Sequence, residues 1–131
     1  ECIASYRGEK RVLVLTHTHA GIASLKEKFQ LKNIPSSAYQ LETICGFALN
    51  LVKAYHLNKD EIPSLSDAGS LFHFAIEHAT KILKALPIKK YLAIKYDHII
   101  VDEYQDCTVG QHQMIMSLST LLSKENILDM I

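Results

Sequence analysis

Tyr96-Asp97-His98-Ile99-Ile100-Val101-Asp102-Glu103-Tyr104-Gln105-Asp106 is the stretch whose reading decides the fold. Ile99 to Val101 are three consecutive β-branched residues that run into two acids with no turn residue between them. A short run apolar on both faces suits a strand inside a parallel sheet, since half-solvated strands alternate instead. Asp102 and Glu103 then fall at the strand's carboxyl end, where open α/β sheets place their ligand sites. Adjacent carboxylates repel unless a cation or a proton offsets their charge. The pair therefore suits a Mg²⁺-nucleotide site, with one acid for the metal and its neighbour for the attacking water. A solvated acidic loop after a core strand is the plainer alternative.

Working outward, Arg11-Val12-Leu13-Val14-Leu15-Thr16 reads as a second buried strand after the turn-favouring Gly8. After His17-Thr18-His19, the spacing of Ile22, Leu25 and Phe29 predicts a helix, ended by Pro35-Ser36-Ser37. Tyr39 to Thr43 reads as a short strand, completing a βαβ unit and hence a parallel, right-handed crossover. Thr43 is placed to cap a helix over 44–55, with Phe47, Leu51 and Tyr55 on one face. Ser66 or Asp67 is expected to cap a longer helix through Leu86, with Leu71, Phe74, Ala75, His78, Ile82 and Leu86 inward and Pro87 as its stop. Residues 57–95 carry little motif content and read as a small helical excursion from the sheet. Gln111 to Ser123 predicts a further helix with Met114, Ile115, Leu118, Leu121 and Leu122 inward, and 126–131 a last strand.

The 131 residues suit one domain with a sizeable core. Basic and acidic residues balance at 14 each, so no global positive field announces nucleic acid. Locally, Lys81, Lys84, Lys89, Lys90 and Lys95 gather between Thr80 and Lys95 without an acid. That cluster fits either a phosphate contact or a solvated helix face. Cys2, Cys45 and Cys107 show no CxxC spacing, which argues against a disulfide framework or zinc ribbon. With no signal-like run and no apolar stretch near the roughly 18 residues of a membrane span, a reducing, cytoplasmic setting without a membrane partner is expected.

Asp102-Glu103-Tyr104-Gln105-Asp106, preceded by an apolar strand and followed by Cys107-Thr108 and Gln111, resembles motif II of the UvrD/Rep-type superfamily 1 helicases. Val14-Leu15-Thr16-His17-Thr18-His19-Ala20 is similar to motif Ia of the same family, where a strand enters Thr-aromatic-Thr-Asn-Ala. Thr43-Ile44-Cys45-Gly46-Phe47 is similar to the family's Thr-Phe-His-Ser-Phe segment, with strict matches at Thr43 and Phe47 only. The resemblance covers about Arg11 to Leu122. It implies a partial RecA-like α/β fold of the P-loop NTPase type: a parallel sheet with flanking helices and a small helical insertion. It further implies that ATP is the substrate and Mg²⁺ the cofactor. Asp102 would hold Mg²⁺ through water, Glu103 would deprotonate the hydrolytic water, and Gln105 would sense the γ-phosphate. Asp106 would brace the loop, and Gln111 matches a downstream Gln of structural character. Thr16, His17, Thr18, His19 and Thr43 become candidates for contact with single-stranded DNA. His17 and His19 replace an aromatic residue and an Asn of the family pattern, so stacking and hydrogen bonding by imidazole are the expected contacts there.

No G-x-x-x-x-G-K-[ST] phosphate loop occurs in the chain, and Gly8-Glu9-Lys10 has neither its length nor its hydroxyl. The family's Gly-Asp-x-x-Gln segment, second RecA-like domain and arginine finger are likewise missing from these residues. The opening Glu1 in place of Met, together with the family order, leads us to expect that residues 1–131 are an internal slice of a first RecA-like domain. The remainder of the helicase is then its first partner. A non-catalytic module binding nucleic acid or protein is the competing expectation. A third reading takes His17-x-His19 as metal ligands with Asp102, as in metal-dependent amidohydrolases. Against it, the chain is much shorter than a (β/α)₈ barrel.

Overall fold

A computed structural model of the chain describes residues 11–56, 60, 62–64, 67–119 and 127–130. Strands β1 (Arg11–Thr16), β2 (Tyr39–Thr43), β3 (Tyr96–Asp102) and β4 (Ile127–Met130) form one sheet in the order β2-β1-β3-β4. Every neighbouring pair is parallel. Helices α1 (His19–Leu31), α2 (Ile44–Tyr55), α3 (Ala68–Ile82), α4 (Leu86–Lys95) and α5 (Val109–Ser119) provide the connections. This is the architecture of a partial RecA-like α/β domain.

The two sheet faces follow from strand alternation. Val12, Val14 and Ile100 pack with Leu25 and Phe29 of α1 on one face. Leu13, Leu15, Ile99 and Val101 pack on the other with buried residues of α2, α3 and α5. Both faces of β1 and β3 are therefore dry, which is why these strands read as unbroken apolar runs. From β1 the chain leaves toward β2, and from β3 it leaves toward β4. The switch point thus lies between the carboxyl ends of β1 and β3, where such sheets open a crevice.

Local signals account for most element ends. The Thr18 side chain caps α1 by accepting from the Gly21 N–H at 3.0 Å, and Thr43 caps α2 by accepting from the Gly46 N–H at 2.9 Å. Beyond α1, Asn33 takes a left-handed conformation with φ 59. Its N–H donates to the Gln30 carbonyl at 3.0 Å, and the Ile34 N–H donates to that of Phe29 at 3.0 Å, a Schellman closure.

Three expectations are corrected. α3 ends at Ile82, not Leu86, and Pro87 starts a helix instead of stopping one. Proline lacks only an N–H that the first helical turn leaves unbonded, and its fixed φ is helical, so it occupies the first turn of α4. Leu86 accordingly lies outside the core, 61% exposed. The basic cluster is not one helix face: Lys81 ends on α3, 3.6 Å from Glu77, whereas Lys89, Lys90 and Lys95 belong to α4. The last helix begins two residues earlier than expected, at Val109. There Thr108 and Gln111 cap it reciprocally, Thr108 N–H to Gln111 Oε1 at 3.0 Å and Gln111 N–H to Thr108 Oγ1 at 3.2 Å. Asp67 is the cap of α3. Cys2, Gly8, Ser66, Leu121, Leu122 and Ser123 lie outside the described residues.

Tyr96 ties β3 to β2 beneath the central strand, its hydroxyl donating to Gln40 Oε1 at 2.9 Å. Burial, with help from the Glu42 charge, pushes its pKa from 10.0 up to about 12. A raised pKa means that the folded state disfavours the phenolate. The resulting stability is complete below pH 10 and disappears as pH climbs to about 12. Its size is on the order of 2–3 kcal/mol. Denaturant titrations across that range should show the loss, and Tyr96→Phe should flatten it; an unchanged slope in Tyr96→Phe would assign the alkaline loss elsewhere.

Candidate functional site

Thr16 and Asp102 end the two strands that flank the switch point. The register that pairs Leu15 with Val101 brings them side by side. Thr16 Oγ1 donates to Asp102 Oδ2 at 3.3 Å, a contact between residues 86 positions apart. Thr16 is 3% exposed, whereas Asp102 is only half-buried. A buried hydroxyl thus orients a carboxylate that solvent still reaches.

Glu103 follows in a left-handed conformation, φ 55 and ψ 51. For a residue with a Cβ this region is disfavoured by about 1–2 kcal/mol, so surrounding contacts must hold it. Two do so through its carbonyl. His17 Nε2 lies 3.0 Å from the Glu103 oxygen, and the Asp106 N–H donates to the same oxygen at 3.0 Å. The ring nitrogen facing a carbonyl must carry the proton, which sets the His17 tautomer. Cys107 Sγ stands 3.9 Å from the same nitrogen. The turn over Tyr104–Asp106 then carries the chain to α5, with Tyr104 bonded through its hydroxyl to His112 Nδ1.

Of the sequence candidates, the structure gathers Thr16, His17, Asp102 and Glu103 at the carboxyl end of the two central strands. Thr43 joins the row through its register with Thr16, although its hydroxyl is engaged in capping α2. Thr18 caps α1, and His19 opens that helix, exposed. The alternation that would aim His17 and His19 at one ion is therefore broken by the start of the helix. Gln105 and Asp106 are exposed in the turn. Gln111 braces the start of α5 and donates from Nε2 toward Cys45 Sγ at 3.8 Å. Burial pushes the Cys45 thiol up, only partly opposed by that amide.

Among the described residues no group of three His, Cys, Asp or Glu side chains is arranged to hold a metal. Asp102, backed by Thr16, instead offers one oriented carboxylate. That donor set fits Mg²⁺, which keeps most of its waters and binds through one or two carboxylates plus substrate phosphates.

Gly21 is a site residue that motif reading missed. A Cβ there would stand 2.5 Å from Thr16 Oγ1 and 3.3 Å from Thr18 Oγ1, so only glycine lets α1 approach the strand end. A glycine in the first turn of an otherwise ordinary helix was the available signal. Gly21→Ala is expected to destabilise the chain by about 1–3 kcal/mol through overpacking against a buried, hydrogen-bonded hydroxyl. Gly69→Ala, where no atom of the described residues lies within 4 Å, should be neutral or slightly stabilising. Urea unfolding of both variants checks this, and equal midpoints would refute the close approach.

No known family profile matches the chain. It is 31% identical over 80 residues to a subunit of the ATP-dependent helicase/nuclease of Streptococcus sanguinis (strain SK36). Those residues are 60% of this chain but 6% of that relative, so the chain spans a small fraction of its length. The similarity supports a helicase relationship at a coarse level. No described helix is long and apolar enough to cross a membrane.

Proposed function

We propose that residues 1–131 belong to the first RecA-like domain of an ATP-dependent DNA helicase or single-strand translocase, and carry its Mg-ATP acids and one DNA-facing strand end. The observation that supports this most is the Thr16–Asp102 contact at 3.3 Å. It joins the two stretches that resemble helicase motifs Ia and II at the point where such sheets bind ligands.

Bound Mg²⁺ supplies positive charge to the phosphate oxygens. Asp102, oriented by the Thr16 hydroxyl, would hold the ion through water. Glu103 accepts a proton from the attacking water at its carboxylate, while its backbone is fixed by His17 and Asp106. Because His17 holds the Glu103 carbonyl, a base or phosphate drawing on His17 would disturb the backbone of the general base. Strand occupancy at β1 is thereby coupled to the acid at β3. Gln105, exposed in the same turn, would follow the γ-phosphate in this reading.

The phosphate loop and second RecA-like domain belong, in this reading, to the larger protein. The test is ATP hydrolysis with and without single-stranded DNA, comparing the chain with a form extended upstream through a phosphate loop and downstream through a second domain. Stimulated turnover in the extended form alone is expected. Silence in both would favour a non-catalytic binding module.

A further inference from the structure

The turn after Glu103 is held from two sides by imidazoles, and the motor reading uses only one of them. Tyr104 opens that turn, half-buried and packed against the larger core. Its hydroxyl donates to His112 Nδ1, and the two rings meet edge to face with centres 5.6 Å apart. A hydroxyl that donates needs a bare ring nitrogen, which puts the His112 proton on Nε2. His112 belongs to the first turn of α5, where its N–H donates to the Thr108 carbonyl at 2.9 Å. Met114, Ile115 and Leu118 anchor that helix in the larger core, whereas His112 is exposed. Its ring serves Tyr104, not the core.

The peptide joining Glu103 to Tyr104 gives that contact its consequence. Glu103 has φ 55 and ψ 51, a conformation that residues with a Cβ disfavour. The carbonyl end of the peptide is gripped from β1, by His17 Nε2 at 3.0 Å. Its other end is Tyr104, whose side chain is gripped from α5 by His112. The Asp106 N–H closes the turn onto the same carbonyl at 3.0 Å. A peptide plane fixed at both ends fixes ψ of Glu103, and so the backbone from which its carboxylate projects. A plane held only at its carbonyl can swing about that point.

We propose that His112 is a positioning residue for Glu103. By holding the Tyr104 hydroxyl it fixes the far end of the Glu103–Tyr104 peptide, as His17 fixes the carbonyl, and keeps Glu103 left-handed. It acts through Tyr104 and touches no reacting group. The consequence for catalysis rests on the role of general base given to Glu103 above; the hold on its backbone does not.

The test begins with NMR on the chain, reading the Glu103 intraresidue Hα–HN NOE, which is strongest where φ is positive. His112→Ala and Tyr104→Phe should each weaken it, and the double variant should lose no more than either alone. His112→Asn should restore it, because the asparagine Oδ1 can accept from Tyr104 where Nδ1 did. In the extended protein, His112→Ala should lower kcat by about tenfold or more through misplacement of the base. KM for ATP should stay within about twofold, and His112→Asn should recover most of kcat. An unchanged Glu103 NOE in His112→Ala overturns the proposal. So do additive effects of His112→Ala and Tyr104→Phe, or an Asn variant no better than Ala, which is what a merely structural role would give. A drop in KM affinity with kcat intact overturns it too. If the unaltered extended protein is silent, the motor reading fails while the Glu103 NOE still decides the hold by His112. If the NOE is unmoved and turnover is present, His112 fails and the motor reading stands.

Discussion

Glu103→Gln, placed in the extended protein, is expected to lower single-strand-stimulated ATP turnover by about 10²–10⁴-fold, the usual contribution of a positioned general base. Glutamine preserves length and shape but does not accept the water's proton. The loss should fall on kcat and leave KM for ATP nearly unchanged, because Glu103 acts only as the reaction proceeds. Removing one charge beside Asp102 also relieves carboxylate repulsion, so Mg-ATP binding should hold or tighten. Asp102→Asn should instead raise the Mg²⁺ concentration needed for half-maximal rate. Steady-state kinetics across a Mg²⁺ series separates the two. Undiminished kcat in Glu103→Gln would remove this residue from the chemistry.

The largest stability effect is expected from Leu13→Ala, a loss of about 2–5 kcal/mol. Leu13 is fully buried on β1, paired with Gln40 on one side and Ile99 on the other. It faces the larger core shared with α2, α3 and α5. Central strands between two helical layers have little freedom to collapse around a cavity, which puts this site in the upper part of the range. Small domains have only about 5–15 kcal/mol in total, so the variant should be largely unfolded in modest urea. Leu86→Ala, at a position 61% exposed, should change stability by no more than about 0.5 kcal/mol. Urea midpoints with unchanged slopes would establish the contrast, and comparable losses at both positions would refute the assigned core.

Much of the fold was legible because local chemistry and global packing agree. β1, β2 and α2 have the observed bounds that apolar runs and the Thr43 cap predict. β3 is longer than Ile99 to Val101, since Tyr96 and His98 pair with Arg11 and Val12 despite their polar neighbours. Pro87 misleads because a proline within an apolar pattern reads as a stop, yet the same residue is favoured in the first turn of a helix. Only the preceding turn, where the Lys84 and Ala85 N–H groups bond three residues back, separates the cases.

By itself the sequence determined the α/β class, the two acids at a strand end and the threonine at another. Those properties follow from side-chain hydrophobicity and periodicity along a few consecutive residues. Tertiary structure alone decided that Thr16 meets Asp102, that His17 holds the Glu103 carbonyl, and that Gly21 makes room for the Thr16 strand end. Each depends on strand order and register, which bring together residues up to 86 positions apart and leave no trace in any local pattern.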